Sequence, residues 1–238
     1  MPVQPQFQAA SSTPPDVGPY SQPMQEPRFL KENWKVILGS DCPEHLRFVR
    51  VLGGVANVTN GTVLIRFPLP HLPDGFYVIN ETGAISDANG SSPRWMNYPD
   101  TATCVPAFHR MKASGPFPAE VISELVSFVE FVRRQKTSDY GQNPTVVMTR
   151  GGLFMAHDPQ VSFILNLQNL PTGNELTFSP FQLKVALVEM LRYTETYISQ
   201  DDMGGGEGPI VFGKDWGHCA LVQQRIANRY RSGVQYHH

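Results

Sequence analysis

The stretch that decides the fold is SPFQLKVALVEMLRYTETYIS, residues 179–199, which is typical of a helix that runs into a strand. Pro180 suits a first helical turn, and Ser179 before it is a residue type that caps helices. One face of this helix carries Leu183, Leu187, Met190 and Leu191. Each such side chain contributes about 1.5–3 kcal/mol when buried. Strand-like segments surround the helix and predict a β-α-β-β-β unit, at 175–178, 194–199, 209–212 and 218–226.

The same order of elements occurs earlier in the chain. A helix is predicted over 118–136, with Val121, Leu125, Phe128 and Val132 on its apolar face and Ser123, Ser127, Glu130 and Arg134 opposite. A short segment at 104–109 precedes it, and strands are predicted after it at 144–149, 152–156 and 161–167. We therefore predict two β-α-β-β-β units between about 105 and 228, with two helices side by side on one layer and antiparallel sheets outside.

The rest of the chain divides by composition. Residues 1–28 are rich in Pro, Gln and Ser, which predicts a flexible tail. Residues 29–104 form a β-rich partial domain in this interpretation, with strands at 34–38, 46–52, 55–58, 62–67 and 76–79. Asn60-Gly61 and Asp74-Gly75 predict turns, and residues 229–238 are assigned to a C-terminal tail.

Composition limits the classes of function. The chain is 41% apolar and 17% charged, which supports a sizeable core, and its net charge of -2 gives no overall attraction for polyanions. A nucleic-acid role would therefore need a local basic surface. The three cysteines are odd in number and far apart, which favours a reducing compartment. Since no run of 18 apolar residues occurs, we expect no membrane span and a cytoplasmic protein.

Two local segments carry a family resemblance. Residues 98–106, YPDTATCVP, are similar to the segment FPDYRRVLP that links consecutive domains of bacterial sliding clamps. Residues 177–191, TFSPFQLKVALVEML, followed by a Gly-rich hairpin and CALVQQRI at 219–226, resemble the end of such a clamp. LPDGFYVI at 72–79 is similar to a recurrent stretch in short phage clamps. The chain thus resembles, over about 30–228, the DNA polymerase sliding clamps of the bacterial beta-clamp type.

The resemblance implies an α+β DNA-clamp (processivity) fold and a non-enzymatic processivity factor. Such a protein encircles duplex DNA without reading its sequence, as a homo-oligomeric ring, and tethers a replicative polymerase, a clamp-loader peptide or another DNA-processing partner. It implies DNA-facing cations at Arg133, Arg134, Lys136, Lys184 and Arg192. It also implies partner-binding positions at Leu221, Val222 and Arg225. If the protein is phage-encoded, its location would be the host cytoplasm.

Each assignment has an alternative. The five cations could equally lie on a solvated helix face, because Glu124, Glu130 and Glu189 are interspersed with them. The Gly-rich run at 204–208 favours a hairpin loop, because no Gly-Lys-Ser/Thr opens a helix there. Around it, Asp201, Asp202 and Asp215 are expected to be solvated turn acids rather than metal ligands.

The residues carry no catalytic signature, and we expect no cofactor or metal. The large aromatic residues Trp34, Trp95, Trp216 and Phe67 are expected in the core. Two rival classes remain: a β-rich virion structural protein, whose jelly roll would lack the helix pair, and an enzyme on an α+β scaffold.

Overall fold

The computed structural model describes residues 37–38, 42–79, 85–88, 98, 111–135, 144–156, 158–171, 175–201, 208–215 and 218–222. Within these ranges, a 3₁₀ turn at Glu44–Leu46 precedes strands β1 Val49–Leu52, β2 Val55–Thr59, β3 Val63–Pro68, β4 Gly75–Ile79 and β5 Ile85–Asp87. The next elements are β6 Met111–Pro118, α1 Ala119–Arg134, β7 Val146–Thr149, β8 Gly152–Met155 and β9 Asp158–Ile164. The last are β10 Leu176–Phe178, α2 Pro180–Met190, β11 Glu195–Asp201, β12 Ile210–Asp215 and β13 His218–Val222. The predicted repeat of β-α-β-β-β is confirmed.

The strands of the described residues form two antiparallel sheets. The long sheet has the order β5-β4-β1-β2-β3-β13-β12-β11-β6, and the short sheet has the order β10-β7-β8-β9. The first strand of each unit is exchanged: β6 of the first unit pairs with β11 of the second, and β10 of the second pairs with β7 of the first. The two units are therefore interlocked rather than merely adjacent.

The two helices pack side by side. In the long sheet, α2 contacts β12 and β13 while α1 contacts β6 and β11. Toward the short sheet, the ring of Phe128 in α1 lies 6.0 Å from that of Phe163 in β9. The predicted fold class is confirmed: α+β, with repeated units, antiparallel sheets and two helices on one layer.

The buried face of α1 differs slightly from the prediction. Its fully buried residues, spaced by three, four and three, are Ile122, Leu125, Val129 and Val132. Val121 and Phe128 are only partly buried at the edge of the core. The prediction used Val121 and Phe128 where Ile122 and Val129 are buried, because a helix this rich in apolar residues allows two neighbouring stripes.

The helix α2 is buried on nearly all sides, not on one face. Leu183, Leu187 and Met190 are buried as predicted, but so are Val185, Ala186, Val188 and Glu189. A helix that is apolar all round is typical of the interior of a domain. Leu191 follows the end of the helix and is half-buried, and Ser179 occupies the N-cap position without a side-chain capping bond.

The N-terminal strands continue the same sheet. β3 pairs with β13 from Val63↔Val222 to Arg66↔Cys219, so the long sheet crosses the predicted boundary at 104/105. One apolar core includes residues from both sides of that boundary, and the division into domains stays a prediction. Of the predicted strand 34–38, the structure describes Ile37 and Leu38, which are buried but not in a strand. The prediction is wrong there.

Two other predictions concern segments next to β6 and the chain ends. The segment 104–109 lies outside the described residues, and the strand that precedes α1 is Met111–Pro118. The predicted tails, 1–28 and 229–238, also lie outside the described residues.

The turn at Asn60-Gly61 is confirmed, since Asn60 Oδ1 accepts hydrogen bonds from the N–H groups of Thr62 and Val63, each at 3.0 Å.

Candidate functional site

A group of charged side chains centred on Glu130 links the two helices. Glu130 Oε1 accepts hydrogen bonds from Arg133 Nη2 at 2.7 Å and Arg134 Nε at 2.9 Å. Glu130 Oε2 accepts a hydrogen bond from Arg133 Nε at 2.8 Å and lies 2.9 Å from Lys184 Nζ of α2. We call these four residues the Glu130 cluster. Three of the five predicted DNA-facing cations are thus brought together on one carboxylate.

The local sequence accounts for half of this arrangement. Arg133 and Arg134 follow Glu130 at spacings of three and four, which are the spacings of neighbours on a helix surface. Both arginines lie in the last turn of α1, where the helix dipole favours positive charge. Lys184 joins them only because α2 packs against α1.

The cluster carries an excess of positive charge. Three cations and one carboxylate leave a net charge of 3 − 1 = +2. Hydrogen bonds from Arg133, and then from Lys184 and Arg134, hold the pKa of Glu130 well below its usual range, although burial acts in the opposite direction. Hydrogen bonding to Glu130 in turn raises the pKa of Arg133. Glu130 and Arg133 are therefore both charged at neutral pH.

Solvent reaches the cluster unevenly. The side chain of Glu130 is 17% exposed, whereas that of Arg134 is 72% exposed. Arg134 uses only its Nε on Glu130, and its two Nη groups make no hydrogen bond within the described part of the chain. An anion approaching from solvent would therefore meet Arg134 first. A guanidinium group that points into solvent in this way can donate hydrogen bonds to a phosphate oxygen.

Two exposed phenylalanines lie on the same helices, and sequence reasoning missed them. Phe131 follows Glu130 in α1 and is 49% exposed, and Phe181 precedes Lys184 by three positions in α2 and is 42% exposed. The signal for Phe131 was present, because it lies four residues after Ser127 on the predicted polar face. For Phe181 the surrounding apolar run hid the exposure.

Arg192 lies in a different ion pair. Its Nη1 is 2.6 Å from Oε1 of Glu189, which is fully buried. Glu189 therefore does not lie on the polar helix face, contrary to the sequence interpretation. Removing a partner from a buried carboxylate costs several kcal/mol, about 3–5 for a fully buried pair. This contact gives Arg192 a structural role, and its DNA-facing role stays a prediction.

The predicted partner-binding residues are buried where they are described. Val222 belongs to the main core, and Leu221 packs with Leu64, Val211 and Cys219 in a small cluster on the other face of the long sheet. Neither side chain presents free surface in this structure, so partner binding there stays a prediction that would need a local rearrangement. Lys136 and Arg225 lie outside the described residues.

Two other residues singled out in the sequence have ordinary packing roles. Phe67 and Cys219 are in the core as predicted, and the three tryptophans lie outside the described residues. Asp215 Oδ1 lies 2.8 Å from His218 Nδ1, and Asp201 is the last residue of β11. The described ranges hold no group of three or more His, Cys, Asp or Glu side chains suited to a metal.

No protein-family model and no curated protein sequence matches the chain. Among solved structures it is similar to the DNA polymerase sliding clamp of Bacillus subtilis, with 16% identity, a TM-score of 0.47 and coverage of 84% of this chain and 62% of the clamp. It is also similar to DNA polymerase III subunit beta of Borrelia burgdorferi, with 12% identity, a TM-score of 0.48 and coverages of 82% and 61%. The corresponding subunit of Pseudomonas aeruginosa matches with 13% identity, a TM-score of 0.47 and coverages of 78% and 59%.

This likeness concerns the fold only. The chain spans about three fifths of the length of the solved structures that it matches. In the described part of the chain, no helix combines the length and the apolar character needed to cross a bilayer.

Proposed function

We propose that the protein is a non-enzymatic DNA sliding clamp, a processivity factor that holds duplex DNA without reading its sequence. The observation that carries this proposal is the Glu130 cluster, in which cations from both helices of the paired layer gather on one exposed surface. Contacts between such cations and phosphates are sequence-independent and release counterions. In this proposal the protein acts in the cytoplasm.

The helix pair also separates this proposal from the rival class of β-rich virion structural proteins. A clamp requires two helices side by side over antiparallel sheets, and α1 and α2 have that arrangement. A jelly roll would place strands where these helices lie. Tethering of a polymerase, a clamp loader or another DNA-processing partner remains part of the proposal.

We further propose that copies of the chain close into a ring by pairing sheet edges. In the described residues, β9 is an outer strand of the short sheet, and Ile164 at its end is 82% exposed. An edge strand has unpaired backbone N–H and C=O groups that a second chain can satisfy. The expected solution mass is that of two or more chains of 26.5 kDa each.

The test of topology compares two forms of one DNA. The protein should be retained on circular duplex DNA and lost after the DNA is linearised. Both arms of the experiment contain no polymerase, and a clamp loader is added to both where loading requires it. Equal retention on the two forms would contradict encirclement. A mass of one chain at every concentration tested would contradict the ring.

The test of the DNA-facing surface compares two exposed arginines. Arg134→Glu should weaken binding to duplex DNA and lower the slope of log K against log salt by about one, because each neutralised phosphate contributes about 0.9. Arg150→Glu is the matched control, since Arg150 is an exposed residue in the turn between β7 and β8. It makes the same charge change outside the Glu130 cluster. Equal losses in both variants, or none, would refute the assignment.

A further inference from the structure

The carboxylate of Glu130 occupies the position among three cations where an anionic ligand would be expected. Its two oxygens receive four contacts of 2.7–2.9 Å from Arg133, Arg134 and Lys184. Convergence of two guanidinium groups and an ammonium on one small anion is the arrangement by which proteins hold a phosphate. Here the anion is supplied by the protein itself.

We propose that Glu130 is an internal competitor for the DNA backbone, which holds the three cations together and limits how tightly they hold a phosphate. This inference rests on the proposed DNA-binding function and adds a regulator of affinity to it. Glu130 differs from the cations in that it opposes binding.

The hydrogen bonds show how the competition works. Arg133 commits Nε and Nη2 to the two oxygens of Glu130, which is the fork that would otherwise bind a phosphate in two places. Lys184 is partly buried and its ammonium lies on Oε2. A phosphate can therefore use Arg134 freely but must share Arg133 and Lys184 with Glu130.

Charge leads to the same conclusion. With Glu130 ionised, the cluster offers a net charge of +2, and without it the same three cations would offer +3. Since the salt dependence of binding scales with the number of phosphates neutralised, this carboxylate removes about one phosphate contact from the interface. Weaker individual contacts are also released more easily, which favours movement along the duplex.

The experiment uses two glutamates of the same helix. Glu130→Gln removes the negative charge and keeps the size of the side chain, and Glu124→Gln makes the same change at an exposed residue of α1. Binding of the full-length chain to a fluorescently labelled circular duplex is measured over a series of salt concentrations. Thermal unfolding confirms that each variant is folded at the assay temperature.

We expect Glu130→Gln to bind several-fold more tightly than the wild type, on the order of threefold to tenfold at low salt, with a log–log salt slope steeper by about one. Glu124→Gln should change the affinity by less than about twofold, as expected for an exposed and screened charge. Unchanged or weaker binding by Glu130→Gln, or equal effects of the two substitutions, would overturn the inference while the proposed function stands. A wild type that binds no circular duplex at any salt concentration would refute both.

Discussion

Gly152 in β8 provides a sharp test of the strand arrangement in the short sheet. Its φ of +138° lies in a region that residues with a side chain rarely adopt. A Cβ atom added there would lie 2.2 Å from the carbonyl oxygen of Phe163 and 2.8 Å from the nitrogen of Leu165. Both neighbours are backbone atoms, so they cannot turn aside as a flexible side chain would. We therefore expect Gly152→Ala to be strongly destabilising.

The cost has two parts. Holding a non-glycine residue in this backbone region costs about 1–3 kcal/mol, and forcing an extra methyl group into a closed space costs about 1–3 kcal/mol more. The sum, about 2–6 kcal/mol, is a large share of a typical stability of about 5–15 kcal/mol. At about 2–4 °C per kcal/mol for a chain of this size, the Tm should fall by roughly 4–24 °C.

The neighbouring glycine is the matched control. At Gly151 a Cβ atom would meet only Thr149 Oγ1, at 3.8 Å, and no positive φ is involved. Gly151→Ala should thus change stability by no more than about 0.5 kcal/mol. Thermal unfolding followed by circular dichroism compares the two variants with the wild type. If both variants melt together, β8 does not pass Phe163 as closely as described, and the register of β8 against β9 is wrong.

Two further predictions concern titratable groups. Because the pKa of Glu130 is lowered in the folded chain, its ion pairs stabilise the fold fully above the unfolded value of about 4.3 and lose that effect as the pH falls below it. The difference in unfolding free energy between wild type and Glu130→Gln, measured in urea, should be constant from about pH 6 to 8 and shrink below about pH 4; a difference unchanged at low pH would contradict the pairing. Burial raises the pKa of Cys219 to about 12, so iodoacetamide at about pH 8 should modify Cys219 only in denaturant. Peptide mass spectrometry measures this, and rapid labelling of the native chain would show that β13 is accessible.

The local order of elements could be predicted because its signals lie within short windows. Pro180 after Ser179 marks the start of α2, and apolar spacing identifies both helices. The strand Met111–Pro118 before α1 was not predicted, for a physical reason. Its sequence, MKASGPFP, contains Gly115, Pro116 and Pro118, which disfavour strands. It is nevertheless a strand because it lies at the edge of the long sheet and pairs with β11.

The candidate site was predictable in its parts but not as a unit. The charges of Arg133, Arg134 and Lys184 could be assigned to polar helix faces, but their convergence depends on packing between residues some fifty positions apart. Glu189 shows the opposite failure. A glutamate in a helix is expected to face solvent, whereas Glu189 is buried and paired with Arg192.

The exchange of β6 and β10 between the two units bears on how such a fold can arise. A single unit alone would have one strand with no sheet to join and one sheet without its outer strand. Two identical copies could meet both needs by trading strands, and their association would depend on concentration. When the two copies are fused into one chain, the exchange of strands no longer depends on association. The sequence of each half can then diverge, because the other half still supplies the strand that completes its sheet.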